Sequence, residues 1–140
     1  MTDEGFLPPG VHGATLEEVD ERYGYGKRRK ELLRSFETAL NQMRNCGVEW
    51  VYLGGSFVTE KPRPGDIDGC FDLTAKVDQK LMFPFLPVNE ANRAMVRLIY
   101  KMEFFPSQMI ERDSGVPFKE FFQRDLSGIR KGIVAIDLGG

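Results

Sequence analysis

The stretch that decides the fold runs from residue 50 to residue 73 and reads WVYLGGSFVTEKPRPGDIDGCFDL. Residues 48–53 are mostly β-branched and aromatic, which predicts a strand that ends at a glycine turn. The prolines within residues 60–65 predict a loop, because proline neither continues a helix nor donates a hydrogen bond inside a sheet. Residues 66–73 alternate between apolar and polar side chains, which predicts a second strand with its aspartates on one face.

Helices and further strands are predicted on both sides of this stretch. Apolar residues at three- and four-residue steps predict a helix over residues 27–45, and Asn89 begins a second helix that extends through Glu103. The apolar stripe of this second helix is expected at Ala91, Ala94 or Met95, Leu98 and Met102. A third strand over 104–111, a short helix over 118–124 and a strand over 131–138 follow. This order predicts an α+β (mixed α/β) fold, with a small mixed sheet flanked by helices.

The segment before the first helix differs in composition from the rest of the chain. Residues 1–26 are rich in glycine, proline and acidic residues. They are expected to form an arm packed on a single domain of residues 27–140. A capping-box pattern at residues 15–18 predicts at most one helical turn in this arm.

Composition excludes several classes of protein. The 140 residues are 41% hydrophobic and 29% charged, with a net charge of −2, which is typical of a folded domain and argues against a general nucleic-acid coat. Cys46 and Cys70 lack metal-binding spacing, and the acidic N-terminus lacks an export signal, so we expect reduced thiols and a cytoplasmic location. A single histidine, His12, excludes a self-contained histidine-rich metal site.

Two pieces of residues 50–73 carry the candidate chemistry. Gly54 and Gly55 let the backbone approach a triphosphate closely, and the hydroxyl of Ser56, at the start of a helical turn, can hold phosphate oxygens. Asp66 and Asp68 are two positions apart on a strand, so their carboxylates face the same way about 6.6 Å apart along the chain. Such ligands suit Mg²⁺ (or Mn²⁺) bound with a nucleoside triphosphate.

Several other residues have two interpretations each. Arg63 either reaches a triphosphate from its loop or is an exposed loop charge. The basic run at residues 27–30 is either a solvated turn or an electropositive edge for an anionic ligand. Trp50 is expected in the core. Five phenylalanines are expected to close the sheet as core residues, and an exposed subset would instead mark a partner surface: Phe104, Phe105, Phe118, Phe121 and Phe122.

The spacing of Gly55 and Ser56 from Asp66 and Asp68 resembles the signature of the DNA polymerase beta-like nucleotidyltransferase superfamily. Nearly the whole chain is also similar to a small family of single-domain bacterial and phage proteins with this nucleotidyltransferase-like fold, through residues 7–10, 55–59, 118–123 and 131–134. The resemblance implies Mg²⁺-dependent transfer of a nucleotidyl group from a nucleoside triphosphate to a hydroxyl on RNA, protein or a small molecule. It assigns Asp66 and Asp68 to the metal, and Gly55 and Ser56 to the phosphates.

The chain departs from the superfamily at the third carboxylate, which usually comes from a later strand. The predicted strand over residues 104–111 has no acid in its middle, and Asp72 lies about 13 Å beyond Asp68. Glu111 and Asp137 are the remaining candidates. This departure leaves an alternative function open: a catalytically degenerate module that binds a nucleotide or a protein, as in a toxin–antitoxin or phage–host pair.

Overall fold

The computed structural model describes residues 7–61, 63–125 and 127–139, and in these its centre is a five-stranded sheet in the order β1-β5-β2-β3-β4. The strands are β1 (Gly10–Gly13), β2 (Trp50–Gly54), β3 (Ile67–Phe71), β4 (Met102–Pro106) and β5 (Gly132–Asp137). β1 pairs with β5, and β3 with β4, in parallel, whereas β2 is antiparallel to both of its neighbours. This mixed sheet, flanked by helices, confirms the predicted α+β fold class.

The helices of the described residues are α1 (Leu16–Tyr23), α2 (Gly26–Asn45), α3 (Glu90–Tyr100) and α4 (Phe118–Phe121). The larger core lies on the face of the sheet that packs against α1, α2 and α3. A smaller core on the other face includes Cys70 and the aromatic side chains next to α4. Alternation along β3 sends Ile67 and Phe71 to the larger core and Cys70 to the smaller one, as predicted.

The predicted arm contains more regular structure than its composition indicated. The capping box at Thr15 and Glu18 is present, but it begins a helix of eight residues rather than a single turn. Upstream of it, β1 forms an edge of the sheet. A Cβ at Gly132 of β5 would lie 2.3 Å from the carbonyl oxygen of Pro8, so this close approach requires glycine. The remainder of the predicted arm, residues 1–6, lies outside the described residues.

The prediction for the second helix is wrong about where the helix ends and about which residues form its apolar stripe. α3 ends at Tyr100, because Lys101 adopts a left-handed conformation with φ of 55°. Residues 102 and 103 therefore begin β4. The face of α3 that is buried contains Asn92 and Val96, whereas Leu98 of the expected stripe is 83% exposed.

The other expectations for the core differ in outcome. Trp50 is 39% exposed at the start of β2, so its predicted place in the core is wrong. Phe104 and Phe105 are buried on opposite faces of the sheet, and the aromatic residues of 118–122 cover the smaller core. Both cysteines are buried and free. Among the helices described, none has the length and apolar character needed to cross a membrane.

Candidate metal centre

The glycine turn after β2 and the start of β3, which carries Asp68, lie together at one end of these two neighbouring strands. Gly54, the last residue of β2, pairs with Asp68 of β3. Gly55 then opens a 3₁₀ turn, Gly55–Val58, with φ of 67°, a conformation that favours glycine. A Cβ at Gly55 would lie 2.6 Å from Oδ2 of Asp68, so a larger side chain would displace this carboxylate. The turn, with half-buried Ser56 as its second residue, therefore lies directly against Asp68.

A third carboxylate joins the two predicted ones, and it comes from β4. The parallel register of β3 and β4 places Glu103 next to Asp68. One carboxylate oxygen from each of Asp66, Asp68 and Glu103 lies within 4.8 Å of the other two, and all three residues are half-buried. Sequence reasoning missed Glu103, because the helical pattern of α3 was extended through it.

Neither of the two candidates for the third acid belongs to this cluster. The carboxylate of Glu111 accepts hydrogen bonds from the backbone N–H groups of Asp113 and Ser114, at 3.2 and 2.7 Å, and so holds its own loop. Asp137 pairs with Trp50, at the end of β2 opposite Gly54 and about 13 Å along the strand.

Asp72 lies just beyond the far end of β3 and outside the acid cluster, as predicted from its spacing. Its Oδ2 accepts a hydrogen bond of 2.9 Å from the Tyr52 hydroxyl, and its Oδ1 accepts one from the Ser107 hydroxyl. Burial and this carboxylate raise the pKa of Tyr52. Asp72 therefore links β2, β3 and the end of β4.

The electrostatics of the cluster favour a bound cation. Burial, and then the neighbouring carboxylates of Asp66 and Glu103, raise the pKa of Asp68 to about 8. The half-buried Lys131 acts in the opposite direction. Three converging carboxylates are the hard oxygen ligands that Mg²⁺ prefers, so the donor set fits a divalent cation.

Two arginines of α3 form ion pairs with the third acid. Arg93 and Arg97 approach Oε1 of Glu103 at 3.2 and 2.6 Å. Both contacts end on the same oxygen. The arginines therefore fix the orientation of this side chain, while Glu103 still contributes to the acid cluster.

A buried arginine, which the sequence did not predict, holds the Gly55–Val58 turn in place. Arg29 is fully buried, and its guanidinium donates four hydrogen bonds to backbone carbonyls. Their acceptors and lengths are Tyr23 (3.2 Å), Phe57 (2.6 Å), Thr59 (2.9 Å) and Lys61 (2.6 Å). Phe57 belongs to the 3₁₀ turn itself, so Arg29 ties α2 to the turn and to the loop that follows it.

The neighbouring Arg28 holds the second half of the same loop through hydrogen bonds to its backbone. It donates hydrogen bonds to the carbonyls of Pro64 and Gly65, immediately before Asp66. The buried Arg29 fits neither interpretation of the basic run, and both arginines donate hydrogen bonds to protein carbonyls. Arg63, the predicted phosphate contact, is exposed on this loop.

A groove of about 650 Å³ opens beside the cluster on its β4 side, and we call it the β4 groove. Asp68 and Glu103 are among its lining residues. The rest is lined by the start of α3, the loop of residues 109–113 and the aromatic side chains of residues 118–122. The candidate metal centre is thus open to a ligand larger than an ion.

The comparisons with known proteins give one family. A family model described as "Family of unknown function (DUF6932)" matches residues 1–137. No curated protein and no solved structure matches the chain.

Proposed function

We propose that this chain, which belongs to the DUF6932 family, is a Mg²⁺-dependent nucleotidyltransferase that transfers a nucleotidyl group from a nucleoside triphosphate to a hydroxyl acceptor. One observation carries this proposal: three carboxylates lie within 4.8 Å of one another, and a glycine turn packs directly against Asp68. The resemblance of residues 55–68 to the nucleotidyltransferase signature supports it.

Each part of the site has a role in this reaction. Asp66, Asp68 and Glu103 would hold Mg²⁺, which when bound offsets the charge of the triphosphate. The N–H groups and the hydroxyl of the Gly55–Ser56 turn bind phosphate oxygens. The acceptor oxygen attacks the α-phosphorus, the bond from this phosphorus to the β-phosphate oxygen breaks, and pyrophosphate leaves. The hydroxyl proton passes to the carboxylate of Glu103.

One observation favours a second candidate function, a module that binds the nucleotide without transferring it. Glu103 is already held in ion pairs with two arginines, at 3.2 and 2.6 Å, and so is not free to take the proton of an acceptor hydroxyl. In such a module the metal and the triphosphate would still bind through Asp66, Asp68 and the turn.

Nucleotide binding and transfer can be measured on the same set of variants. Calorimetry with each nucleoside triphosphate and Mg²⁺ measures binding, and label from an α-³²P nucleotide measures transfer to a cell extract. Asp66→Asn combined with Asp68→Asn should abolish both. Glu103→Gln should keep binding and lose about 10²-fold or more in transfer. Asp137→Asn, at the other end of the sheet, is the matched control and should behave as the native chain.

The outcomes separate the two functions. Binding without transfer by the native chain would support the module and reject the enzyme. Label transferred equally by the native chain and by the Asp66/Asp68 double variant would reject the assignment of the site.

A further inference from the structure

The proposed site has different groups on the two sides of Asp68. The Gly55–Ser56 turn lies at the end of β2, on one side of Asp68, whereas Glu103 and the β4 groove lie on the other side. In an in-line displacement the attacking and leaving oxygens lie on opposite sides of the phosphorus. With the triphosphate on the turn, the acceptor therefore approaches along the β4 groove.

The charges of the β4 groove disfavour a polyanionic acceptor. Among its described lining residues, five side chains are acidic and two are basic. One of the two, Arg93, is already paired with Glu103 at 3.2 Å. A nucleic acid needs cations along its phosphates, and this groove supplies few of them. The acids outside the metal cluster instead complement basic groups on a partner: Glu90, Glu111 and Asp113.

The apolar part of the groove continues onto the protein surface. Phe105, Phe118 and Phe122 form a buried aromatic floor. Met109 and Ile110, on the rim, are 40% and 54% exposed. Exposed apolar side chains bordered by charged groups are typical of surfaces that bind protein segments, where aromatic residues and methionine are enriched.

We propose that the β4 groove binds a polypeptide segment, rich in basic residues, whose side-chain hydroxyl accepts the nucleotidyl group. This inference rests on the proposed function and adds the substrate class to it. Apolar side chains next to the hydroxyl pack on the aromatic floor, and basic side chains lie against Glu90 and Asp113. Ile110 is a specificity-determining residue at the rim of the groove.

A peptide library tests this assignment directly. The library has Ser, Thr or Tyr fixed at its centre and all other positions randomised, and it is offered with an α-³²P nucleotide and Mg²⁺. A mixed-sequence RNA oligonucleotide and a mixture of small hydroxyl compounds are the other acceptors. We expect label on the peptides, with lysine and arginine enriched among the labelled sequences. Label only on RNA or only on small compounds would overturn the proposal.

The variant Ile110→Lys adds a positive charge to the rim and removes an apolar contact at an exposed position, where folding tolerates the change. It should lower peptide labelling about tenfold, a typical effect for an important interface residue. Binding of the nucleotide should be unchanged. Leu98→Lys, which changes a more exposed apolar residue of α3 outside the groove, is the matched control and should label peptides as the native chain does.

Failure of this inference is distinguishable from failure of the proposed function. Retention of the biotinylated library on immobilised protein is measured without nucleotide, so it reports on the groove even if no transfer occurs. Retention that falls in Ile110→Lys but not in Leu98→Lys supports the groove. Equal retention of the library by both variants would overturn the inference. Weaker nucleotide binding by Ile110→Lys would also overturn it, because the groove would then hold the base of the nucleotide.

Discussion

Replacement of Arg29 by methionine tests how the Gly55–Val58 turn is held in place. The substitution keeps a flexible, unbranched apolar stem and removes all four hydrogen bonds to backbone carbonyls. Three of these bonds are buried, to Tyr23, Phe57 and Thr59, so their carbonyls would lose their guanidinium donors away from water. Each orphaned carbonyl costs about 1–3 kcal/mol.

Part of this cost is offset. Burial lowers the pKa of Arg29, which shows that the charged form is penalised in its present environment. Because methionine removes this penalty, the expected loss for Arg29→Met is at the lower end of the sum, about 3–5 kcal/mol in the free energy of unfolding. Arg29→Lys keeps the charge but has three N–H donors for four carbonyls, and should lie between methionine and the native chain.

Urea denaturation followed by circular dichroism measures these differences. Arg34→Met is the matched control, because Arg34 is exposed on the same helix, and its cost should stay within about 0.5 kcal/mol. If Arg29→Met costs less than about 1 kcal/mol, the four bonds do not hold the turn. A second readout is the binding of Mg²⁺ and a nucleoside triphosphate by the folded Arg29→Lys variant, which should weaken because the turn is no longer fixed.

Three further predictions follow from the site and the core. The pKa of Asp68 is about 8 in the folded chain, against an ordinary value of 3.8, so the folded state binds an extra proton between these values. The free energy of unfolding without metal should therefore fall as pH rises from about 4 to 8, and Mg²⁺ should bind more tightly over the same range. Urea denaturation at several pH values measures the first effect, and Asp68→Asn should remove the pH dependence of the urea midpoint. Gly55→Ala should destabilise the chain more than Gly115→Ala and should also abolish Mg²⁺ binding. Both glycines have positive φ, but only Gly55 faces a carboxylate, so equal losses in the free energy of unfolding would contradict this prediction. Cys46 and Cys70 should not react with a thiol reagent until the chain unfolds, because burial raises the pKa of both thiols; rapid reaction in native buffer would show that they are accessible.

Local patterns were sufficient to predict the elements that bring Gly55, Asp66 and Asp68 together. A strand, a glycine turn and an alternating strand lie within residues 48–73, and their pairing follows from the short loop between them. Apolar periodicity likewise predicted the helix of residues 27–45, which the structure has as α2, whereas β1 was not predicted, because it lies in the glycine- and proline-rich arm.

The third acid and the buried arginine depend on information that no local pattern carries. Lys101 ends α3 in a left-handed conformation that usually requires glycine or asparagine, so the sequence contained no stop signal before Glu103. Arg29 lies in a run of basic residues that is typical of a solvated turn. Its burial depends on carbonyls of a loop about 30 residues away, which the sequence of the helix does not reveal.

The position of β5 has a consequence for how the chain is made. β5 lies between β1 and β2, yet its residues, 132–137, are synthesised after those of the four other strands. While the nascent chain lengthens, β2 has one edge without a partner and β1 has no sheet to join. Closing the sheet requires contacts between residues more than 100 positions apart, which slows folding. Completion of the sheet is therefore a late event during synthesis, and β2 needs protection from other chains until the ribosome has released β5.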